Sequence, residues 1–113
     1  MEKTKTFEEV YTEIIVLTKL HNVSYADHLG KLMEESGEFA QELNKINGTK
    51  SPNEEDTLAS VRLNVLEEGV DTIQVICSIF SKLNITTAEI LDTFSKKNKK
   101  YKKKINKPSK ILK

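Results

Sequence analysis

Val65-Leu66-Glu67-Glu68-Gly69-Val70-Asp71-Thr72-Ile73-Gln74-Val75-Ile76-Cys77-Ser78-Ile79-Phe80-Ser81-Lys82-Leu83 is the stretch that decides the fold. Its apolar residues recur at helical intervals and never alternate with polar ones for long, as a half-buried strand would require. At about 100° per residue, Val65, Leu66, Val70, Ile73, Val75, Ile76, Cys77, Ile79, Phe80 and Leu83 cover roughly 220° of a helix circumference. An ordinary surface helix shows a stripe roughly 100° wide. This helix needs cover on more than one side, and a chain of 113 residues has few helices with which to give it. A homodimer or homotetramer in which the helix packs against its copy is the expected remedy.

The same spacing runs outward in both directions. Thr6 with Glu9 forms a capping-box pattern that opens a first helix running to about His21. Ser24 precedes a second helix, from about Tyr25 to Ile46, stopped by Asn47-Gly48, a favourable left-handed cap. Ser51-Pro52-Asn53-Glu54 places Pro at a first helical position and Glu at the third, which predicts the start of the third helix, ending near Asn84. Thr86 with Glu89 caps a fourth, which enters a lysine tract and must end before Pro108. The expected architecture is all-α: a four-helix, bundle-like domain over residues 1–104, completed by oligomerisation, with residues 105–113 a basic, flexible, solubilising tail.

Composition narrows the function classes. With 37% hydrophobic and 31% charged residues, a 12.9 kDa chain folds around a thin core. No apolar run exceeds Ile14 to Leu17, too short for a membrane span of ~20 residues. Met-Glu-Lys-Thr-Lys at the start lacks the apolar stretch of a signal peptide, so a cytoplasmic location is expected. The one cysteine, Cys77, leaves no internal disulfide and no cysteine-based zinc site, and its place on an apolar helix marks it as packing.

The net charge of +1 hides an asymmetry. Residues 1–92 hold eight Lys and Arg against all 17 Asp and Glu, a net of −9, whereas residues 93–113 hold ten lysines and no acid, a net of +10. An acidic body attracts cations and a basic segment attracts phosphates.

The acids are not evenly spread. Glu34-Glu35-Ser36-Gly37-Glu38 lies on the second helix and Glu67-Glu68-Gly69-Val70-Asp71 on the third. Glu35 with Glu38, and Glu68 with Asp71, are each three residues apart and share a helix face, where like charges repel unless a cation intervenes. Glu35 falls at the edge of its helix's apolar arc and Glu68 inside the margin of its own. Each pair leans toward the packed side, so four carboxylates can pool in one cleft. Such hard oxygen ligands suit Mg²⁺ or Mn²⁺ and not zinc. Glu34, Glu42 and Glu67 are read as solvated neighbours. Gly37 and Gly69, each costing ~1 kcal/mol against alanine inside a helix, suggest close approach by something beside the acids.

Lys31-Leu-Met-Glu-Glu-Ser-Gly-Glu38 followed by Leu66-Glu-Glu-Gly-Val-Asp71 resembles the EExxE…ExxD signature of MazG-like all-α nucleoside triphosphate pyrophosphohydrolases. The segment Lys96-Lys-Asn-Lys-Lys-Tyr-Lys-Lys-Lys104 is similar to that family's final motif, and the likeness spans most of residues 25–104. It implies an oligomeric helical bundle that hydrolyses a nucleoside triphosphate to the monophosphate and pyrophosphate, cleaning nucleotide pools. It also implies Mg²⁺ (or Mn²⁺) held by Glu35, Glu38, Glu68 and Asp71. One of Glu34, Glu35 and Glu38 would orient the attacking water. Lys96, Asn98 and Lys100 would face the triphosphate, with Tyr101 packed behind them. The 29 residues between Glu38 and Glu68 are long for the family's shorter members, and lysines stand where arginines are frequent. His28, Tyr25, Tyr11 and Phe7 lie on the first two helices as candidates for meeting a base, with a core or surface place the competing reading for each.

A different class of function competes. The lysine segment offers salt-sensitive, sequence-independent contacts to nucleic acid. Against that, Tyr101 is its only aromatic, and the acidic body repels a duplex. A metal-free helical adaptor that dimerises through the third helix is a further alternative. A carboxylate-bridged di-iron bundle is excluded, because Thr18 and Tyr25 stand three residues before His21 and His28 where glutamates are needed.

Overall fold

A computed structural model describes residues 3–47 and 57–106. Among these the chain is all-helical, with no strand: α1 is Phe7–His21, α2 Tyr25–Asn47, α3 Leu58–Lys82 and α4 Thr87–Asn106. No helix of the described residues is long and apolar enough to cross a membrane.

Local chemistry sets the helix ends. The Thr6 hydroxyl accepts from Glu9 N at 3.2 Å, and the Glu9 carboxylate accepts from Thr6 N at 3.2 Å, closing a reciprocal capping box on α1. Asn22, in the left-handed conformation at φ 45°, ends α1. Ser24 Oγ accepts from Asp27 N to start α2, and Thr86 Oγ1 accepts from Glu89 N to start α4. The start of α3 differs from expectation. Ser51–Glu54 lie outside the described residues, and the described helix begins at Leu58, where Thr57 is extended and exchanges hydrogen bonds with Ser60. Serine replaces the glutamate of the usual box, which hid this start behind the stronger proline signal. Gly48, the expected stop of α2, is outside the described residues, as are 107–113 and with them most of the expected tail; α4 itself continues through Ile105 to Asn106.

The helices pack unequally. The most extensive contact is α2 on α3, α1 also packs on α3, and α4 touches α1 over a short stretch only. Tyr11, Ile14, Cys77 and Ile90 form the buried core, with Ile15, Phe80 and Ile85 against it. The Tyr11 hydroxyl donates to Ile85 O at 2.7 Å, which ties α1 to the α3–α4 turn and satisfies a buried phenol. Cys77 is a packing residue, as expected.

The α3 surface is only partly covered. Leu63, Leu66, Val70 and Ile73 all stay exposed, and so do Leu29 and Met33 on α2. Met33 and Leu66 stand five residues before Glu38 and Asp71 respectively, roughly 140° round each helix at about 100° per residue. On each helix, therefore, that uncovered apolar residue points well away from the acid.

Candidate metal centre

Packing of α2 on α3 brings the two acidic motifs together. One carboxylate oxygen from each of Glu35, Glu68 and Asp71 lies within 4.8 Å of the others. That span matches oxygens arranged round one hard cation, whose metal–oxygen distances are about 2.0–2.6 Å. Glu35 is buried, Glu68 half-buried and Asp71 exposed, so the cluster opens from the helix interface toward solvent. Glu38, the expected fourth ligand, lies one turn beyond Glu35, is exposed and is not part of that group, though its carboxyl group acts on Glu68.

The electrostatics are those of crowded like charges. The Glu68 carboxyl is held above the usual carboxylate range, first by burial, then by its neighbour Glu38, then by the charges of Asp71 and Glu35. Oε2 of Glu35 and Oε2 of Glu68 are shielded from water and have no hydrogen-bond partner. A buried carboxylate oxygen without a donor is costly, and a cation satisfies it. The donor set and the two orphaned oxygens fit a divalent ion bound by oxygen ligands.

The surrounding residues sort themselves. Glu34 and Glu67 are exposed, as expected of solvated neighbours, whereas Glu42 is half-buried, takes Lys45 Nζ at 3.2 Å and leaves its own Oε2 unpartnered. A Cβ added at Gly69 would meet the Phe39 ring at 3.1 Å, so the close approach there is Phe39 of α2 packing on α3. Gly37 has nothing within 4 Å of such a Cβ.

Lys31 is the participant that sequence reasoning missed. Its Nζ lies 3.1 Å from Glu35 Oε1 and 3.5 Å from Glu34 Oε1. The signal was present, since Lys31 precedes Glu35 by four residues, a spacing at which helical side chains meet.

The other candidates do not converge on the acids. Lys96 pairs with Asp92 at 2.9 Å, and Lys96, Asn98 and Lys100 are exposed on α4, which makes no contact with α2 among the described residues. Tyr101 is exposed with Lys104 over its ring, not packed behind the lysines. His28 is buried on the face of α2 that carries Glu35, two turns earlier, with Nε2 lacking a partner. Tyr25 is half-exposed under the Lys82 ammonium at 4.8 Å, Tyr11 belongs to the core, and Phe7 stacks on Tyr11. An apolar groove at the α3–α4 corner, lined by Phe80, Ile85, Ile90 and Phe94, shares no residue with the acid cluster. Comparison with family models, curated proteins and solved structures finds no match for this chain.

Proposed function

We propose that the α2–α3 acid cluster is a divalent-cation centre and that the protein hydrolyses a nucleoside triphosphate to its monophosphate and pyrophosphate, with Mg²⁺ as cofactor and Mn²⁺ able to replace it. The observation that carries the reading is the pair of shielded, unpartnered oxygens on Glu35 and Glu68 inside a set of carboxylates that a single cation can span. The MazG-like spacing of the two motifs supplies the reaction class.

Glu35, Glu38, Glu68 and Asp71 would hold the ion. Bound there, a divalent cation polarises phosphate oxygens and lowers the pKa of water, which is what attack on an α-phosphorus needs. The chain's own part is to fix four carboxylates on two packed helices, so that little rearrangement is left for the reacting state. One of Glu34, Glu35 and Glu38 would orient a water; Glu34 and Glu38 are exposed and Glu35 is buried. Lys96, Asn98 and Lys100 are assigned to the phosphates by the resemblance. The uncovered apolar side of α2 and α3 supports assembly into a dimer or tetramer. The role in clearing nucleotide pools and the cytoplasmic location belong to the same proposal.

The test is pyrophosphate release from a panel of canonical and modified NTPs and dNTPs, with Mg²⁺, with EDTA, and with Glu68→Gln. Metal-dependent release that the variant loses supports the reading and names the preferred base. Absence of turnover on every substrate, with both proteins folded, contradicts it.

One observation favours a second reading. Lys97, Lys99, Lys100, Lys102, Lys103 and Lys104 are all exposed on α4 and make no ion pair among the described residues. Such a surface binds nucleic acid through phosphates, with affinity that falls steeply as salt rises. Salt-sensitive retention on DNA or RNA by a catalytically silent protein is the outcome that selects it.

A further inference from the structure

The Glu35 carboxylate is divided between two environments. Oε1 accepts from Lys31 Nζ at 3.1 Å, while Oε2 is shielded and unpartnered, and the carboxylate has an oxygen grouped with those of Glu68 and Asp71. The side chain of Glu35 is 8% exposed and that of Lys31 is 53% exposed, so the lysine stands at the surface and reaches inward to one oxygen. A glutamate's terminal torsion is broad and two-fold, so burial alone does not decide which way its oxygens point. The bond from Lys31 does.

We propose that Lys31 is a positioning residue of the cation site: it pins Glu35 by Oε1 and so presents Oε2 to the ion. The proposal rests on the cation-centre reading above and adds to it a residue that lies outside the four ligands. Two effects of the ammonium oppose each other. Its charge repels an incoming cation, and its hydrogen bond keeps the buried carboxylate aimed. Orientation wins here, because the half-exposed ammonium is screened by water and holds the oxygen turned away from the ion. Partners that orient metal ligands typically contribute 10–100-fold to metal affinity. An exposed ion pair contributes little to folding, so the effect of losing Lys31 falls on the ion and not on the fold.

Calorimetric titration with Mn²⁺ alone, without nucleotide, tests this on wild type, Lys31→Met, Lys31→Arg and Glu68→Gln, with the metal-free Tm of each. Methionine keeps an apolar stem and removes the donor; arginine keeps the charge and a donor. The expected result is binding by wild type, weakening of about tenfold or more in Lys31→Met, recovery to within about threefold in Lys31→Arg, and metal-free Tm values within about 2 °C of wild type for both. Unchanged or tighter binding in Lys31→Met overturns the proposal, as does failure of Lys31→Arg to recover. If wild type binds no Mn²⁺, or Glu68→Gln binds as wild type does, the cation centre itself falls and the role of Lys31 with it.

Discussion

The ring of Phe39 on α2 packs against the backbone of α3 at Gly69, where a Cβ would come within 3.1 Å of Cε1. This contact sets how closely the two helices approach, and that approach in turn sets the spacing of Glu35 and Glu68. Gly37, on the same helix as Phe39, meets nothing. The two glycines should therefore respond in different ways to alanine. Gly37→Ala removes a helix-interior glycine from open space and should add about 1 kcal/mol, raising Tm by roughly 4–8 °C. Gly69→Ala gains the same propensity but pushes on Phe39, so it should stabilise less than Gly37→Ala or destabilise. Thermal melts of the two variants measure the difference; equal gains would mean that Phe39 yields freely and does not set the helix approach.

Removing a member of the acid cluster separates folding from ion binding. Glu68→Gln relieves like-charge repulsion, so the metal-free variant should melt no lower than wild type. Wild type should gain about 2.7 kcal/mol of stability at a cation concentration 100 times its Kd. The variant should lose most of that gain. Scanning calorimetry with and without Mg²⁺ reads both effects.

The pH dependence follows from the raised pKa of Glu68. Because the folded chain holds that proton more tightly than the unfolded chain, the metal-free protein is favoured at low pH. That advantage is lost as pH rises from the ordinary value of 4.5 through the raised one. Cation binding must displace the proton, so apparent Mg²⁺ affinity should rise with pH across this window, with protons released on binding. Titrations in two buffers of different ionisation enthalpy at each pH count those protons. Affinity that stays flat across the window would contradict the crowding of Glu38, Asp71 and Glu35 round Glu68.

Cys77 reports on the core. It is 4% exposed, and burial pushes its thiol above the usual cysteine range. A disulfide reagent should modify it roughly 100-fold more slowly than in the denatured chain, at a rate that follows opening of the α1–α3 contact. Modification as fast as that of a free thiol would mean that Tyr11 and Ile14 do not cover it.

The uncovered side of α2 and α3 predicts assembly. Leu66 and Val70 are 59% and 45% exposed on one face of α3. In a dimer or tetramer, Leu66→Glu with Val70→Glu should reduce the mass seen by light scattering to that of the 12.9 kDa chain. A wild type that is already monomeric at high concentration removes the assembly from the account.

Most helix ends were legible because they are local. Thr6 with Glu9, Ser24, and Thr86 with Glu89 each name a cap within four residues of sequence. The start of α3 was not, because Thr57 and Ser60 form the box without the expected acid. The meeting of Glu35, Glu68 and Asp71 was legible, since periodicity shows which residues lean toward a packed face, whereas Glu38 stays outside that group. The depth of the site was not: the burial of Glu35 and the seating of Phe39 on Gly69 depend on how two helices meet, which no spacing encodes. An absent Cβ signals that something comes close, without saying whether it is a ring or a ligand. The α4 lysines show the same limit, because a basic motif carries no information on which helix its own helix will pack against.

The central claim is metal-dependent attack of water on an α-phosphorus. Its most direct test is product analysis after turnover of a triphosphate in ¹⁸O-water with Mg²⁺. The account predicts equal yields of monophosphate and pyrophosphate, with one ¹⁸O in the monophosphate and none in the pyrophosphate, and no products in EDTA or with Glu68→Gln. Label in orthophosphate, products that persist without metal, or no turnover of any triphosphate would contradict it.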